Sequence, residues 1–304
     1  MSTVRLTGLR ADLPIAVMAA FGVLRISART PDLAAVKLRW EQGAGGEHAV
    51  LELPGHLDDR DLLDVLIQDV RSAPTREELT WSDQIKTVTR DEFRERSRQA
   101  LENGDGLAAW FTAFGTELHL DREEKAIEPT PFDMSVARQR FLLDARKLAS
   151  GLAKGSGVAY REALFGPWRY ADDQHSLGWD PGTIKLGAFT HRAPTGMANS
   201  GVRAAVWLAF ESLPLFPCFY SGGFAVTAFR RTRRDFTLCW PVWRPSITLS
   251  GLRILLAWEG LVRTDPPLDE MKARGITAIY RSQKFKPNKY LSSFRAAELA
   301  AAAE

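Results

Sequence analysis

The sequence predicts an α/β (mixed α+β) fold, with small mixed or antiparallel sheets packed against helices. Three observations carry this. Val36, Leu38 and Trp40 alternate with Lys37 and Arg39, the period of a half-buried strand. Leu62, Leu63, Leu66 and Val70 recur at helical spacing. Near the carboxyl end, two apolar runs at 224–229 and 236–240 flank the basic segment RRTRRD, as in a hairpin.

The elements follow in order. Residues 4–9 read as a short strand. The next segment, DLPIAVMAAFGVLR, has a basic start before it and an apolar run within it, and so invites comparison with a leader peptide. Asp12 as N-cap and Pro14 in the first turn favour a helix start, and Arg25 and Arg29 suit its carboxyl end. Residues 13–28 are therefore expected to be a folded helix and not a cleaved leader. Three glycines within 42–47 predict a hairpin loop, with 48–53 as the returning strand. Asp58, Asp59 and Asp61 open the next helix, where negative charge favours the helix dipole.

Residues 73–130 read as mainly helical. Thr89 and Glu92 fit a capping box for a helix to about Leu101. A long helix is expected across 135–152, ended by GLAKGSG. Residues 165–200 lack periodicity, and long irregular segments are often functional. A helix over 202–213, a capped apolar helix from Thr248 or Ser250 to about Leu261, and a last strand at 276–281 follow. The Ala-rich tail, 296–304, reads as a fraying helix. The organisation is an N-terminal β-α-β-β-α plus helical region, 1–130, then 131–304 with the helical, irregular and basic hairpin parts.

Composition limits the function classes. With 45% hydrophobic and 25% charged residues over 304 positions, the chain is not a disordered or collagen-like one. No run of eighteen apolar residues predicts a membrane span. Cys218 and Cys239 alone make neither a disulfide framework nor a four-ligand zinc site, which fits a reducing cytoplasm. The five histidines, His48, His56, His119, His175 and His191, lie in no metal-binding spacing, and there is no nucleophile elbow or phosphate loop. No cofactor is expected.

Charge is uneven. Residues 1–200 carry 25 Lys/Arg against 29 Asp/Glu, whereas 201–304 carry 15 against 8, a basic carboxyl-terminal third. Its densest part is Arg230, Arg231, Arg233 and Arg234. Four guanidinium groups on one turn repel each other unless anions are near, and their forks suit phosphate oxygens. Arg281, Lys284, Lys286 and Lys289 follow, interleaved with Phe285 and Tyr290, a pattern that can track a backbone and stack bases. Solvated loops are the plainer account of both clusters. Asp172, Asp173, His175 and Asp180 are the one constellation suited to metal-assisted phosphodiester cleavage. Turn-capping aspartates explain them as well. The apolar LPLFPCFY segment would be an exposed docking patch if the chain were a protein–protein adaptor. Trp179, Trp207, Trp240, Trp243 and Trp258 are core candidates, with Trp168 and Trp179 as alternative stacking platforms.

Several phrases, in order, resemble a known family: LTGLRADLPIAVMAAFGVLR with VKLRW, TPFDMSVARQRFLLDARKLA, GPWRYADDQHSLGWDP, VWLAFESLPLFP, CWPVWRPSITL and ITAIYRSQKF. Together they are similar to proteins of type I-G (I-U) CRISPR loci, akin to the large subunit of a Cascade effector complex. The resemblance implies a non-catalytic, cytoplasmic, nucleic-acid-binding subunit of an antiviral ribonucleoprotein complex. Its implied partners are guide RNA, target DNA, other effector subunits and a helicase-nuclease. In such complexes base pairing reads the sequence while protein holds backbone. Metal-dependent nuclease and adaptor are the rival expectations.

Overall fold

The first strand, β1 (Ser2–Arg10), alternates buried Val4 and Leu6 with exposed Thr3 and Arg5 and so sits with one face on the core. In the computed structural model, which describes residues 2–104, 106–173, 176–183, 201–232 and 235–303, β1 pairs antiparallel with β3 (Gly46–Leu53). That strand pairs in turn with β2 (Lys37–Gly43). The β2–β3 turn places Gly45 at φ 88°, a left-handed conformation that glycine adopts without Cβ strain.

Between β1 and β2 runs α1 (Pro14–Arg29), buried from Pro14 to Ser27. A helix apolar all round belongs inside a protein. It packs on α8 (Arg203–Glu211) so closely that a Cβ at Gly22 would lie 1.8 Å from the Leu208 carbonyl oxygen. The expected Asp12 cap is corrected: Leu13 is the N-cap without a side-chain bond, and Asp12 pairs with Arg10 at 2.5 Å.

Helices α2 (Asp59–Ser72), α3 (Glu77–Thr80), α4 (Arg90–Asn103), α5 (Leu107–Phe114), α6 (Phe141–Ala153) and α7 (Val158–Phe165) fill the middle of the chain. Asp58 and Asp61 form a reciprocal capping box for α2, and Thr89 accepts from Glu92 N at the start of α4. The expected helix over 135–152 begins only at Phe141. Before it, side chains hold turns instead: Asp133 accepts from Ser135 N and Gln139 from Val136 N, at 2.9 Å each.

The carboxyl-terminal part builds the second sheet. A two-stranded unit, β4 (Cys218–Tyr220) with β5 (Phe224–Val226), precedes β6 (Phe229–Arg231) and β7 (Phe236–Trp243). The expected basic hairpin is corrected: its first strand is not 224–229, because 224–226 pair with β4, and Arg230 and Arg231 belong to the strand and not to the turn. After α9 (Leu249–Ala257), capped by Thr248, and α10 (Leu268–Ala273) come β8 (Ile276–Asn288), β9 (Leu291–Phe294) and β10 (Glu298–Ala302). The strand order is β10-β8-β7-β6, with β9 also paired to β8. The Ala-rich tail is therefore a strand and not a helix: Glu298 faces Arg281 and Ala302 faces Ala278. A segment this short is marginal as a helix even when rich in alanine, and it yields to the free hydrogen-bonding edge of β8. The apolar helix expected to reach Leu261 stops at Ala257, followed by a 3-10 turn over Glu259–Val262.

Two indoles join the sheets. Trp240 Nε1 donates to Ala11 O at 2.8 Å and Trp243 Nε1 to Leu38 O at 3.0 Å. With Trp40, Trp179 and Trp207 they are almost wholly buried, each removing about 150–250 Å² from water. Trp258 is only half-buried, donating to Glu270 beneath Arg274. One core cluster takes in residues from Val4 to Phe294. Its charged heart is Glu211, wholly buried at the end of α8, which accepts from Arg25 (2.7 Å), Arg29 (3.1 Å) and Arg76. Burial pushes its carboxyl up, but the three guanidinium groups outweigh that and hold it below the usual range.

Candidate nucleic-acid interface

Alternation along the antiparallel ladder decides which basic side chains meet. Arg230 lies opposite Thr237, which lies opposite Gln283, and Arg295 N donates to Gln283 O at 2.9 Å. Arg281 lies two residues on and so on the same face, opposite Cys239 and Glu298. Arg230, Arg281 and Arg295 therefore share one face and line a cleft of about 250 Å³ with Thr232, Thr237 and Gln283. Asp235 and Glu298 stand at its lining too, yet none of the three guanidinium groups forms an ion pair with a carboxylate among the described residues.

Neutral groups orient the forks. Arg230 Nη1 donates to Thr264 Oγ1 at 3.3 Å, and Arg281 donates to the carbonyls of Thr264 (3.2 Å) and Arg263. Arg230 Nε is buried without a hydrogen-bond partner among the described residues. The Arg295 guanidinium lies 4.3 Å from the Phe285 ring centroid. Three positive forks fixed by neutral partners leave their charge available to an anion, and guanidinium geometry matches phosphate oxygens. Behind them Cys239 is buried, which pushes its thiol up and away from nucleophilic use.

The other expected basic residues go elsewhere. Arg231, next to Arg230 in β6, points to the opposite face, donating to Phe224 O at 2.9 Å with its guanidinium 5.6 Å from the Phe236 centroid. Lys284 also lies on the face opposite Arg281. Its amine donates to Asp133 O at 3.2 Å, and burial pushes its pKa down to about 8, against the pull of Asp133. Lys286 and Lys289 are exposed at the far end of β8 and its turn, Lys289 lying 5.0 Å from the Tyr290 centroid. Arg233 and Arg234 lie outside the described residues. Arg295 carries no signal in the sequence: it stands apart from both basic clusters, just after β9, and only the strand register brings it to Gln283.

The acidic constellation has structural duties. Asp172 accepts from Arg203 N at 2.9 Å at the start of α8 and pairs with Arg203 Nε at 3.3 Å. Asp180 is buried and accepts from Gly182 N at 2.8 Å; burial raises its pKa, while the bonds from Gly182 and Tyr170 pull it down. Asp173 is exposed, and Gln174 and His175 lie outside the described residues, as does His191. No group of three His, Cys, Asp or Glu suited to a metal ion occurs among the described residues. Of the apolar segment expected as a docking patch, Leu213 to Phe216 are buried, leaving only Phe219 and Tyr220 half exposed. Trp168 donates to Ala163 O at 3.0 Å and Trp179 to Phe132 O, so neither is a free platform.

No protein-family model, curated protein or solved structure matches the chain. Among the described residues no helix is long and apolar enough to cross a membrane.

Proposed function

We propose that the chain is a non-catalytic nucleic-acid-binding subunit of an RNA-guided CRISPR effector complex, and that it grips the sugar-phosphate backbone of guide RNA or target DNA. The observation that carries this reading is the convergence of Arg230, Arg281 and Arg295 on one cleft, without carboxylate partners among the described residues. The excess of basic residues over 201–304 supplies the longer-range attraction that steers a polyanion. The sequence resemblance supplies the context: a cytoplasmic assembly with other effector subunits and a helicase-nuclease.

Contacts of this kind fix position and register and leave base identity to pairing between guide and target. The reading is tested by purifying the chain from its host with its partners and sequencing the bound RNA. Recovery of short RNAs of uniform repeat-derived ends is expected. A nucleic-acid-free preparation that keeps its protein partners after nuclease digestion would support an adaptor instead, and cleavage of RNA or DNA abolished by EDTA would support a nuclease.

A further inference from the structure

Three large aromatic side chains are exposed: Tyr290 (67%) at the β8–β9 turn, and Phe219 (50%) and Tyr220 (51%) on the short β4–β5 hairpin. Most other Phe and Trp rings are buried, and as consecutive residues of β4 Phe219 and Tyr220 point to opposite faces, Tyr220 on the face of Phe224. The hairpin is held firmly. Phe219 lies opposite Ala225 and Tyr220 opposite Phe224, and Ser221 N closes the turn onto Gly223 O at 3.0 Å. The His119 imidazole stacks on Phe224 with centroids 4.1 Å apart.

A cation is fixed at the same place. Arg231 donates to the carbonyl of Phe224, the residue opposite Tyr220, and makes no ion pair with a carboxylate among the described residues. β6 is the last strand in its sheet's order, and its consecutive residues Arg230 and Arg231 point to opposite faces. A phosphate chain leaving the Arg230 cleft over this edge meets Arg231 next, and Arg231 is bound to the hairpin row that carries Tyr220.

We infer that Tyr220, on the β4–β5 hairpin, stacks on an unpaired base of a single-stranded nucleic acid whose phosphates lie along Arg231 and the Arg230 cleft. The inference rests on the phosphate-binding reading above and narrows it to single strands. A planar base carrying a phosphate offers a π-face to the Tyr220 ring and negative charge to the guanidinium. In a duplex the base faces are already stacked and cannot reach that ring.

The test uses the full chain with labelled oligo-dT and oligo-U, an abasic oligonucleotide of equal length and a blunt DNA duplex. Tyr220→Ala should weaken oligo-dT and oligo-U binding about tenfold, the scale of one lost stack, whereas Phe219→Ala, on the other face of the hairpin, should not. Salt dependence should not change, nor should abasic or duplex binding, and Tyr220→Trp should restore affinity. If Tyr220→Ala leaves single-strand affinity intact while Arg281→Ala weakens it, the platform is overturned and the phosphate site stands. Equal losses on abasic and base-bearing strands also overturn it. If neither Arg281→Ala nor Tyr220→Ala matters, or the wild-type chain binds none of the probes, the phosphate reading falls with it.

Discussion

Arg230 and Arg281 both hold Thr264, the first through its hydroxyl at 3.3 Å and the second through its carbonyl at 3.2 Å. The two arginines come from strands separated by β7, and this shared anchor aims both forks into one cleft. Because the anchor is neutral, it orients the charges without cancelling them. Thr264→Ala removes only the hydroxyl contact to Arg230. A loss of about twofold to fivefold in nucleic-acid affinity is expected, within the ~0.5–1.5 kcal/mol range of one neutral hydrogen bond, measured by fluorescence anisotropy.

The Glu211 cluster makes a prediction about stability. Removing the carboxylate leaves the buried Arg25 and the half-buried Arg76 without their shared partner. Glu211→Ala is expected to cost about 3–5 kcal/mol, the range for breaking a buried pair, read from urea denaturation. Glu211→Gln should cost less, since its amide oxygen can still accept from one guanidinium.

Asp69 gives this cluster a pH dependence. Burial pushes its carboxyl up to about 6, helped by Glu211 and opposed by Arg76, Arg29 and Arg25. An acid with a raised folded-state pKa stabilises the fold most when protonated. Its contribution is therefore full below the unfolded value near 4 and is lost as pH rises towards about 6. Glu78 is shifted in the same direction, mainly by burial, and Glu211 in the opposite one, so the Asp69 share is isolated by difference. Relative to wild type, Asp69→Asn should gain stability between about pH 4 and pH 6.5, checked by urea midpoints at both values. A difference that does not change with pH would remove Asp69 as the titrating group.

Gly22 separates helix propensity from packing. Alanine is the better helix former by about 1 kcal/mol, so propensity alone makes Gly22→Ala stabilising. The new Cβ would instead meet the Leu208 carbonyl at 1.8 Å, which forces α1 and α8 apart. A net loss of about 1–3 kcal/mol in thermal or urea denaturation is expected from the overpacking.

Periodicity makes much of this fold legible. The β1, α1, β2 and β3 elements fall close to their expected places, because one-sided burial writes alternation directly into residues such as Leu38 and Trp40, whereas of the basic hairpin only the β7 strand does so. The tail is not legible in this way. Its run of alanines favours a helix locally, and nothing within residues 296–304 announces that β8 has a free edge for Glu298–Ala302. The candidate site follows the same division. Arg230 and Arg281 stand out by charge, but Arg295 joins them through register, and the same register turns Lys284 away towards Asp133.

The most direct measurement is the salt dependence of single-strand affinity for the wild-type chain and for the Arg230→Ala/Arg281→Ala/Arg295→Ala variant. Each lost phosphate contact should lower the slope of log affinity against log salt by about 0.7, so the triple variant should lose about 2. An unchanged slope, whatever happened to the affinity itself, would contradict a backbone grip by these three arginines.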